Sequence, residues 1–361
     1  MPRFLRTKRL LVSLCAFSLL APATVPPVLA QDRLPALGEA VSEDLSVGNE
    51  RRIGEQIMRS IRVDPDYLDD PVLQEYLQSI WQPLLAAARA RGDITPDVDT
   101  TFAWEPFLVR DRTVNAFALP GGYVGVHLGL IAMTTTRDEL ASVLAHEMTH
   151  VTQRHIVRGM VNSQRQSLLS LAAIILGVLA AGRSNRSDAP NAIITGGQAL
   201  AVQGQLNFSR DLEREADRIG FSVLTRAGFA PGGMAAMFEK LDQSSRLNDS
   251  GGFPYLRTHP LSTERIGEAR ARLGTAPPAP PVSGLAHTVA QARSKVLMDA
   301  RIDALRRWQA LEAPANASVS DKLLTAYVNA LAATLARDWP RAESATQLAL
   351  GLVRGSPRSD A

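Results

Sequence analysis

Apolar residues recur at helical spacing along the first part of the chain. From Asp70 and Pro71 onward, large apolar side chains return every three or four residues, and this spacing predicts an amphipathic helix. Asp70 is a typical helix-capping residue, and Pro71 suits the first helical position. Isoleucines four residues apart in the stretch 46–62 predict an earlier helix of the same kind.

The pattern then changes to one that favours β-strands. Phe102, Trp104 and Val109 are aromatic or β-branched residues in a short apolar region. Two further short apolar runs within 115–127 flank the Pro-Gly-Gly sequence at 120–122. Because proline and glycine favour tight turns, this arrangement predicts a β-hairpin.

Helical periodicity returns at Thr136 and continues to about Met160. The segment 168–181 is apolar on almost every side, but a helix of that length spans only about 21 Å of a hydrocarbon core about 30 Å thick. We therefore expect a buried or membrane-surface helix there rather than a membrane span. A polar loop at 182–191 and another helix at 209–227 are expected to follow.

A proline-rich segment divides the chain. Four prolines between 277 and 281 disfavour helix and core strand, which predicts a linker at 275–287 between a domain of residues 31–274 and a helical tail of residues 288–361. One unit of about 34 residues in this tail resembles a tetratricopeptide repeat. A plain helical hairpin explains the same pattern equally well.

Residues 1–30 have the features of a secretory signal sequence, with a basic start, an apolar run and a cleavage site after Ala30. A retained membrane anchor is the alternative, although the apolar run is shorter than the roughly twenty residues that a span needs. The single cysteine, Cys15, lies within this segment, so we expect no disulfide in the mature chain. We expect an exported, periplasmic protein.

The formal net charge of +3 depends on the same segment. Residues 1–30 contain four basic residues and no acidic residue, so that their removal leaves a net charge of −1. A nucleic-acid-binding protein usually carries a basic face. The composition therefore argues against a nucleic-acid partner.

The sequence His146-Glu147-Met148-Thr149-His150 combines a metal-binding spacing with a carboxylate. Positions four apart on a helix lie about 40° from each other, so that His146 and His150 can bind one ion. Imidazole nitrogens suit Zn²⁺, and Glu147 can take a proton from a water on the metal. Two surface histidines on a helix are the alternative interpretation. A catalytic zinc site also needs a third protein ligand.

Glu213 is the candidate for that ligand. It lies four residues before Asp217 in an acidic helical segment, so that both face the same side. Asp217 would then accept a hydrogen bond from the free N–H of a ligating histidine. Glu215 points about 200° away from Glu213, and His155 lies about 180° from His146. We expect Glu215 to form ion pairs in solvent and His155 to be solvated.

Together these motifs resemble a known family. The histidine motif, residues 213–218, the sequence 115–122 and the Thr-His-Pro sequence at 258–260 are similar to those of the gluzincin metallopeptidases of the HtpX and CAAX prenyl protease family. The soluble, periplasmic BepA-like branch is the most similar. The resemblance covers about residues 40–272. It implies an α+β, mainly helical fold, in which a zincin-type protease domain has a small sheet beside the zinc helix.

The resemblance also implies a role for each residue. His146, His150 and Glu213 would be the ligands of one Zn²⁺ per chain, Glu147 the general base, and Asp217 the residue that orients a ligating histidine. Glu147 would take the proton of the attacking water and deliver it to the leaving amine. The expected enzyme is a zinc metalloendopeptidase.

Two further sites follow from the resemblance. Asn115, Ala116, Phe117 and Ala118 would line the cleft, where an extended substrate can add to a strand edge. His259 would be a catalytic residue that stabilises the oxyanion, or a residue that caps the zinc of the resting enzyme. A purely structural His-Pro turn is the third possibility.

The resemblance favours a periplasmic endopeptidase that degrades unfolded or misassembled envelope and outer-membrane proteins. One alternative is a chaperone-like assembly factor, with a self-capped protease site and a helical tail that docks on the outer-membrane protein assembly machinery. Another is a protease in peripheral contact with the membrane through residues 168–181.

Overall fold

The structure, a computed structural model, describes residues 46–158, 210–247, 253–274 and 284–355. Within these ranges the helices include α1 (Val47–Arg62), α2 (Pro71–Arg91), α3 (Pro96–Thr101), α4 (Leu128–Met133), α5 (Arg137–Thr152), α6 (Arg210–Arg226), α7 (Gly232–Leu247), α8 (Tyr255–Thr258), α9 (Thr263–Ala271), α10 (Leu285–Leu297), α11 (Ile302–Gln309), α12 (Val319–Leu335) and α13 (Trp339–Gly355), and residues 155–158 are also helical. The strands are β1 (Tyr67–Leu68), β2 (Glu105–Val109), β3 (Ala116–Leu119) and β4 (Tyr123–His127). The predicted class, α+β and mainly helical with a small sheet, is confirmed.

The two N-terminal helices begin where the sequence predicts. The Ser46 hydroxyl accepts the Asn49 N–H at 3.2 Å at the start of α1. The Asp70 carboxylate accepts the Leu73 N–H at 3.0 Å, with Pro71 as the first residue of α2. Their apolar faces are buried, so that α1 packs on the sheet and α2 lies in the larger core.

The four strands have the order β1-β2-β4-β3. β3 and β4 form the predicted antiparallel hairpin, and both glycines of its turn, Gly121 (φ 77°) and Gly122 (φ 90°), have a left-handed backbone. The sequence did not predict that β2 pairs in parallel with β4. Phe102 and Trp104 precede β2 rather than form part of it. β3 therefore lies at one edge of this sheet, where it packs against α5.

Helix α5, which carries the histidine motif, begins at the predicted position. The Thr136 hydroxyl accepts a backbone N–H of its first turn. The prediction of one continuous helix to about residue 160 is wrong, because α5 ends at Thr152 and a turn at 153–154 separates it from the helical residues 155–158. Arg154 has a left-handed backbone (φ 50°), and its guanidinium donates to the buried Glu50 carboxylate at 2.8 Å. The chain therefore changes direction at Arg154.

Several predicted features lie outside the described residues. They are the signal sequence 1–30, the apolar segment 168–181, the polar loop 182–191 and most of the proline-rich segment. Among the helices that the structure describes, none combines the length and the apolar character needed to cross a bilayer. The domain boundary at 275–287 stays a prediction.

Helix α10 connects the helices after the proline-rich segment to those before it. Arg293 forms a two-point ion pair with Asp70, with N–O distances of 2.8 and 2.7 Å. His287 lies between the Tyr76 hydroxyl at 2.6 Å and the Thr134 carbonyl oxygen at 3.0 Å. Since His287 and both its partners are buried, these contacts hold α10 against the start of α2 and the end of α4.

Helices α12 and α13 pack against each other in the tail. Trp339, at the start of α13, is 62% exposed and adds little to the core between them. Such a pair of helices agrees with both a tetratricopeptide-like unit and a plain helical hairpin, so both interpretations stay open.

Asp70→Asn tests the link between α2 and α10. The amide oxygen keeps the cap of α2 but loses the charge that pairs with Arg293. We expect the free energy of unfolding at pH 7, measured in urea, to fall by about 1.5–3 kcal/mol, the range for a hydrogen bond to a charged group. Asp70→Ala also loses the cap, which should cost about 1 kcal/mol more.

The pH dependence of this difference has a definite sign. Burial alone would raise the pKa of Asp70, but hydrogen bonds from Arg293 and from the Leu73 N–H hold it below its ordinary value. The stabilisation is complete above the unfolded pKa of about 3.9 and is lost as the pH falls through the lower folded value. Wild type and Asp70→Asn should therefore converge in acid. A constant difference in unfolding free energy from neutral pH into acid would contradict the ion pair.

Candidate metal centre

Helix α5 directs two histidines to one point in the interior. His146 and His150 are one turn apart and almost completely buried, and their Nε2 atoms are 3.0 Å apart. The alternative of two surface histidines is excluded by this burial.

Helix α6 brings Glu213 to the same point. Its Oε1 atom lies 3.3 Å from His150 Nε2, and its Oε2 atom lies 3.4 Å from His146 Nε2. The structure thus brings together the three residues that the sequence proposes as metal ligands.

A close contact between the backbones of α5 and α6 makes this approach possible. Gly220 follows Asp217 by one turn and Glu213 by two, so that all three residues face α5. A Cβ atom at Gly220 would lie 3.1 Å from the Ala145 carbonyl oxygen and 3.2 Å from the His146 backbone nitrogen. A side chain at this position therefore requires one helix to shift.

A fourth group, the His259 imidazole, points into the same site from the segment after α8. Its Nδ1 atom is 3.0 Å from Glu213 Oε1 and 3.3 Å from His146 Nε2. Its ring stacks on Tyr255, with ring centroids 4.6 Å apart. The donor atoms of His146, His150, Glu213 and His259 all lie within 4.8 Å of one another, and these four residues are called the His-His-Glu-His cluster below.

Several donor–donor distances in the cluster are close to those of a tetrahedral metal site. Four donors at about 2.0–2.1 Å from one ion lie about 3.3 Å from each other. Five of the donor–donor distances, measured to one or the other oxygen of Glu213, range from 3.0 to 3.4 Å, and one donor atom from each residue lies within 4.8 Å of the others. Imidazole nitrogens and a carboxylate oxygen suit a divalent transition-metal ion. The residues of the cluster therefore fit a metal ion.

Glu147 adjoins the cluster without belonging to it. Its side chain is fully buried, and its carboxylate lies close to the backbone N–H of Ala118 in β3. Its Oε1 atom lies 3.4 Å from His259 Nε2. Burial raises the pKa of Glu147. A carboxylate with a raised pKa beside a metal site suits a base that accepts a proton from water.

Asp217 and Arg265 support His146 from the side opposite the cluster. Asp217 Oδ1 lies 2.9 Å from His146 Nδ1, and Arg265 donates to the two Asp217 oxygens at 2.6 and 2.8 Å. Arg265 Nη1 also lies 2.9 Å from Glu213 Oε2. Burial alone would raise the pKa of Asp217, but Arg265 and His146 hold it below its ordinary value. Asp217 is thus a charged acceptor for the N–H of His146.

Arg265 belongs to the site although the sequence did not predict a role for it. It lies in α9, shortly after the Thr-His-Pro sequence, and is 5% exposed. Because buried carboxylates need a facing cation, the acidic composition of the site predicts an arginine nearby. It does not identify which arginine, since that depends on how α9 packs against α6.

The carboxylates around His146 favour its protonated form. Burial lowers the pKa of His146, but Glu213 and Asp217 outweigh this effect and raise it to about 10. Burial would raise the pKa of Glu213, yet His259 and His146 hold it well below its ordinary range. Metal binding must therefore displace a proton from His146.

The expectation that His155 is solvated is wrong. Its side chain is completely buried, and its Nδ1 atom lies 3.0 Å from Nδ1 of His150. The cause is the change of direction at Arg154, since a continuous helix would carry His155 to its opposite side. Glu215 forms the expected ion pair, with Arg158 at 2.9 Å, but only 23% of its side chain is exposed.

The predicted substrate-binding residues lie at the edge of the sheet. Asn115 directly precedes β3, and its buried Oδ1 atom has no hydrogen-bond partner in the described part of the chain. Ala116 and Ala118 pack with the core that contains α5, whereas Phe117 packs edge-on against Phe107 in the second core. Their role in substrate binding stays a prediction.

Gly220→Ala tests the close contact between α5 and α6. The added methyl group should force the helices apart, at a cost of about 1–3 kcal/mol for overpacking. This cost exceeds the gain of about 1 kcal/mol in helix propensity. We expect a lower free energy of unfolding in urea, and weaker metal binding because Glu213 moves away from the two histidines.

Gly267→Ala is the matched control, because a Cβ at this helical glycine of α9 would meet no heavy atom within 4 Å. It should gain up to about 1 kcal/mol from helix propensity and keep its metal affinity. Wild-type metal affinity in Gly220→Ala would show that the distance between α5 and α6 does not determine how tightly the site binds metal.

Comparison with known proteins agrees with this geometry. The chain matches the model of peptidase family M48 over residues 71–273. It is 37% identical over 287 residues to the putative beta-barrel assembly-enhancing protease of Vibrio cholerae, an alignment that covers 79% of this chain and 56% of the relative. For the beta-barrel assembly-enhancing protease of Escherichia coli K12, the identity is 37% over 250 residues, with 69% and 49% covered. The mitochondrial metalloendopeptidase OMA1 of Schizosaccharomyces pombe is 32% identical over 163 residues, with 45% and 44% covered.

The chain spans about half the length of these curated relatives. The family match extends from the start of α2 to the end of α9 and includes the whole His-His-Glu-His cluster. The metallopeptidase family that the motifs predict is thereby confirmed, and the chain belongs to peptidase family M48.

Proposed function

We propose that the protein is a zinc metalloendopeptidase of the periplasm that cleaves unfolded or misassembled envelope proteins. The buried His-His-Glu-His cluster, with Glu147 beside it, is the observation that carries this proposal. Zn²⁺ suits these donors at these distances. In this proposal His146, His150 and Glu213 hold the ion, Glu147 is the general base, and Asp217 orients His146.

The metal ion, Glu147 and Asp217 have different roles in the proposed reaction. Zn²⁺, when bound, polarises the scissile carbonyl and lowers the pKa of a coordinated water. Glu147 accepts the proton of the attacking water, because its raised pKa improves the match with the group that it deprotonates. It then delivers this proton to the leaving amine. Asp217 keeps the proton of His146 on Nδ1, so that Nε2 is available to the metal.

The edge strand β3 is the proposed substrate-binding surface. An extended polypeptide can pair with the main chain of residues 115–118, next to α5. Main-chain hydrogen bonds select for no particular side chain, so such a site accepts many unfolded sequences. A folded protein offers few extended, unpaired segments, and this limits cleavage to unfolded or misassembled chains.

The names of two relatives suggest a place of action. Both are called beta-barrel assembly-enhancing proteases. We infer that the substrates include misassembled outer-membrane proteins and that a partner is the outer-membrane protein assembly machinery. A signal sequence cleaved after Ala30 would deliver the chain to the periplasm, and residues 168–181 are the candidate for peripheral membrane contact.

The position of His259 favours a second candidate, an assembly factor whose protease site is mostly at rest. Catalytic zinc sites keep one position open, whereas closed sites have four protein ligands. His259 Nδ1 lies at ligand-like distances from Glu213 and His146, in the fourth position. It belongs to the segment between α8 and α9, so that a movement of this segment would open the site.

Glu147→Gln tests the general base. The variant should retain its metal, by elemental analysis, and lose at least about 100-fold in the rate of casein cleavage, the lower end of general-base effects. Glu264→Gln, on the exposed face of α9, is the control and should cleave as the wild type does. An active, metal-loaded Glu147→Gln protein would remove Glu147 from the mechanism.

His259→Ala separates the two candidate roles of this histidine. If His259 closes the site, its removal frees a position for water, and casein cleavage should rise while one metal ion per chain is retained. If His259 stabilises the oxyanion, cleavage should fall instead. We expect the rise because of the short distances from His259 to the other cluster residues. Initial rates, normalised to metal content, measure the difference.

A further inference from the structure

We propose that His155, Glu215 and Arg158 form an orienting chain that holds His150 ready to bind the metal. This inference rests on the proposed function, because it assigns positioning residues to the same site. His155 lies behind His150, on the side away from the cluster, with the two Nδ1 atoms 3.0 Å apart. Its Nε2 atom faces Glu215 Oε2 at 3.4 Å, and Arg158 pairs with the same oxygen at 2.9 Å.

Metal binding at Nε2 of His150 determines which imidazole, that of His150 or that of His155, donates the hydrogen bond between their Nδ1 atoms. A histidine nitrogen that binds a metal carries no proton, so His150 must keep its proton on Nδ1 when Nε2 is the ligand. Nδ1 of His150 therefore donates, and Nδ1 of His155 accepts. The remaining proton of neutral His155 then lies on Nε2, the ring nitrogen that is 3.4 Å from Glu215 Oε2.

The two histidines of α5 are supported in parallel ways. His146 Nδ1 lies 2.9 Å from Asp217 Oδ1, and Arg265 donates to both Asp217 oxygens. His150 has a carboxylate and an arginine behind it too, but His155 lies between them. The spacer is needed because Glu215 is two residues from the ligand Glu213 and points away from it.

The change of direction after α5 places His155 next to His150. Arg154 is held in its left-handed conformation by an ion pair with buried Glu50. This brings His155 back beneath His150 instead of leaving it on the far face of the helix. A partner that receives the N–H of a ligating histidine sets the tautomer and the ring orientation, and so raises metal affinity.

His155→Phe tests the orienting chain. The phenyl ring keeps the buried volume but removes the acceptor for the His150 N–H. We expect the Kd for Zn²⁺, measured by competition with a chromophoric chelator, to rise by about 10- to 100-fold, the range for losses of this kind. His155→Gln offers an amide oxygen as acceptor and an amide N–H as donor, and should recover most of the affinity.

His287→Phe is the matched control, because His287 is another buried imidazole with two hydrogen bonds, to Tyr76 and to the Thr134 carbonyl. This variant should lose stability but keep the wild-type Kd for Zn²⁺. Equal Kd values for wild type and His155→Phe would overturn the proposal. Equal weakening in His155→Phe and His155→Gln, or in His155→Phe and His287→Phe, would overturn it too.

Nitrogen-15 NMR of the zinc-loaded wild type provides a test that does not depend on whether His155→Phe folds. The shifts should place the proton of His150 on Nδ1 and that of His155 on Nε2. A proton on Nδ1 of His155 would refute the orienting chain. A wild type with no affinity for Zn²⁺ would refute the proposed function as well, whereas tight binding by both wild type and His155→Phe would refute the orienting chain alone.

Discussion

The close packing of α6 on α5 is the constraint on which the rest of the site depends. Gly220 lets the two backbones meet at Ala145, and at this separation carboxylates from one helix reach the histidines of the other. The same approach removes Glu213 and Asp217 from water. Buried carboxylates are costly unless cations face them, and the guanidinium of Arg265, from α9, meets both. The position of α9, and of the segment before it, is therefore coupled to the contact between the two helices.

Charge balance explains why these groups favour a metal rather than a plain network of ion pairs. Among the described residues, the guanidinium of Arg265 pairs with two buried carboxylates, those of Glu213 and Asp217, whereas the buried carboxylate of Glu147 lies beside His259. In the metal-free cluster, His146 compensates by holding a proton. A divalent ion supplies more positive charge than that proton and leaves every imidazole neutral. The geometry of the donors and the electrostatics of the site thus select the same occupant.

The features that could be predicted from sequence are those that depend on spacing within one helix. Residues four apart share one face of a helix. Their spacing alone therefore predicted the histidine pair of α5 and the carboxylate pair of α6. His155 could not be placed in this way, because Arg154 ends the regular helix without a glycine or proline to signal it. The ion pair that holds Arg154 comes from Glu50, 104 residues earlier. Arg265 and the parallel pairing of β2 with β4 also depend on contacts between distant segments, which local periodicity does not encode.

The contacts of α10 with α2 and α4 affect what happens when the backbone is cleaved. Asp70 and Arg293 are 223 residues apart in sequence, and His287 joins the same elements through buried hydrogen bonds. A protease that nicked the proline-rich segment would therefore leave two fragments that remain associated as a noncovalent complex. Loss of the C-terminal fragment would instead expose apolar surface next to α5, the helix that carries the histidine motif. Packing of α10 therefore stabilises the peptidase core.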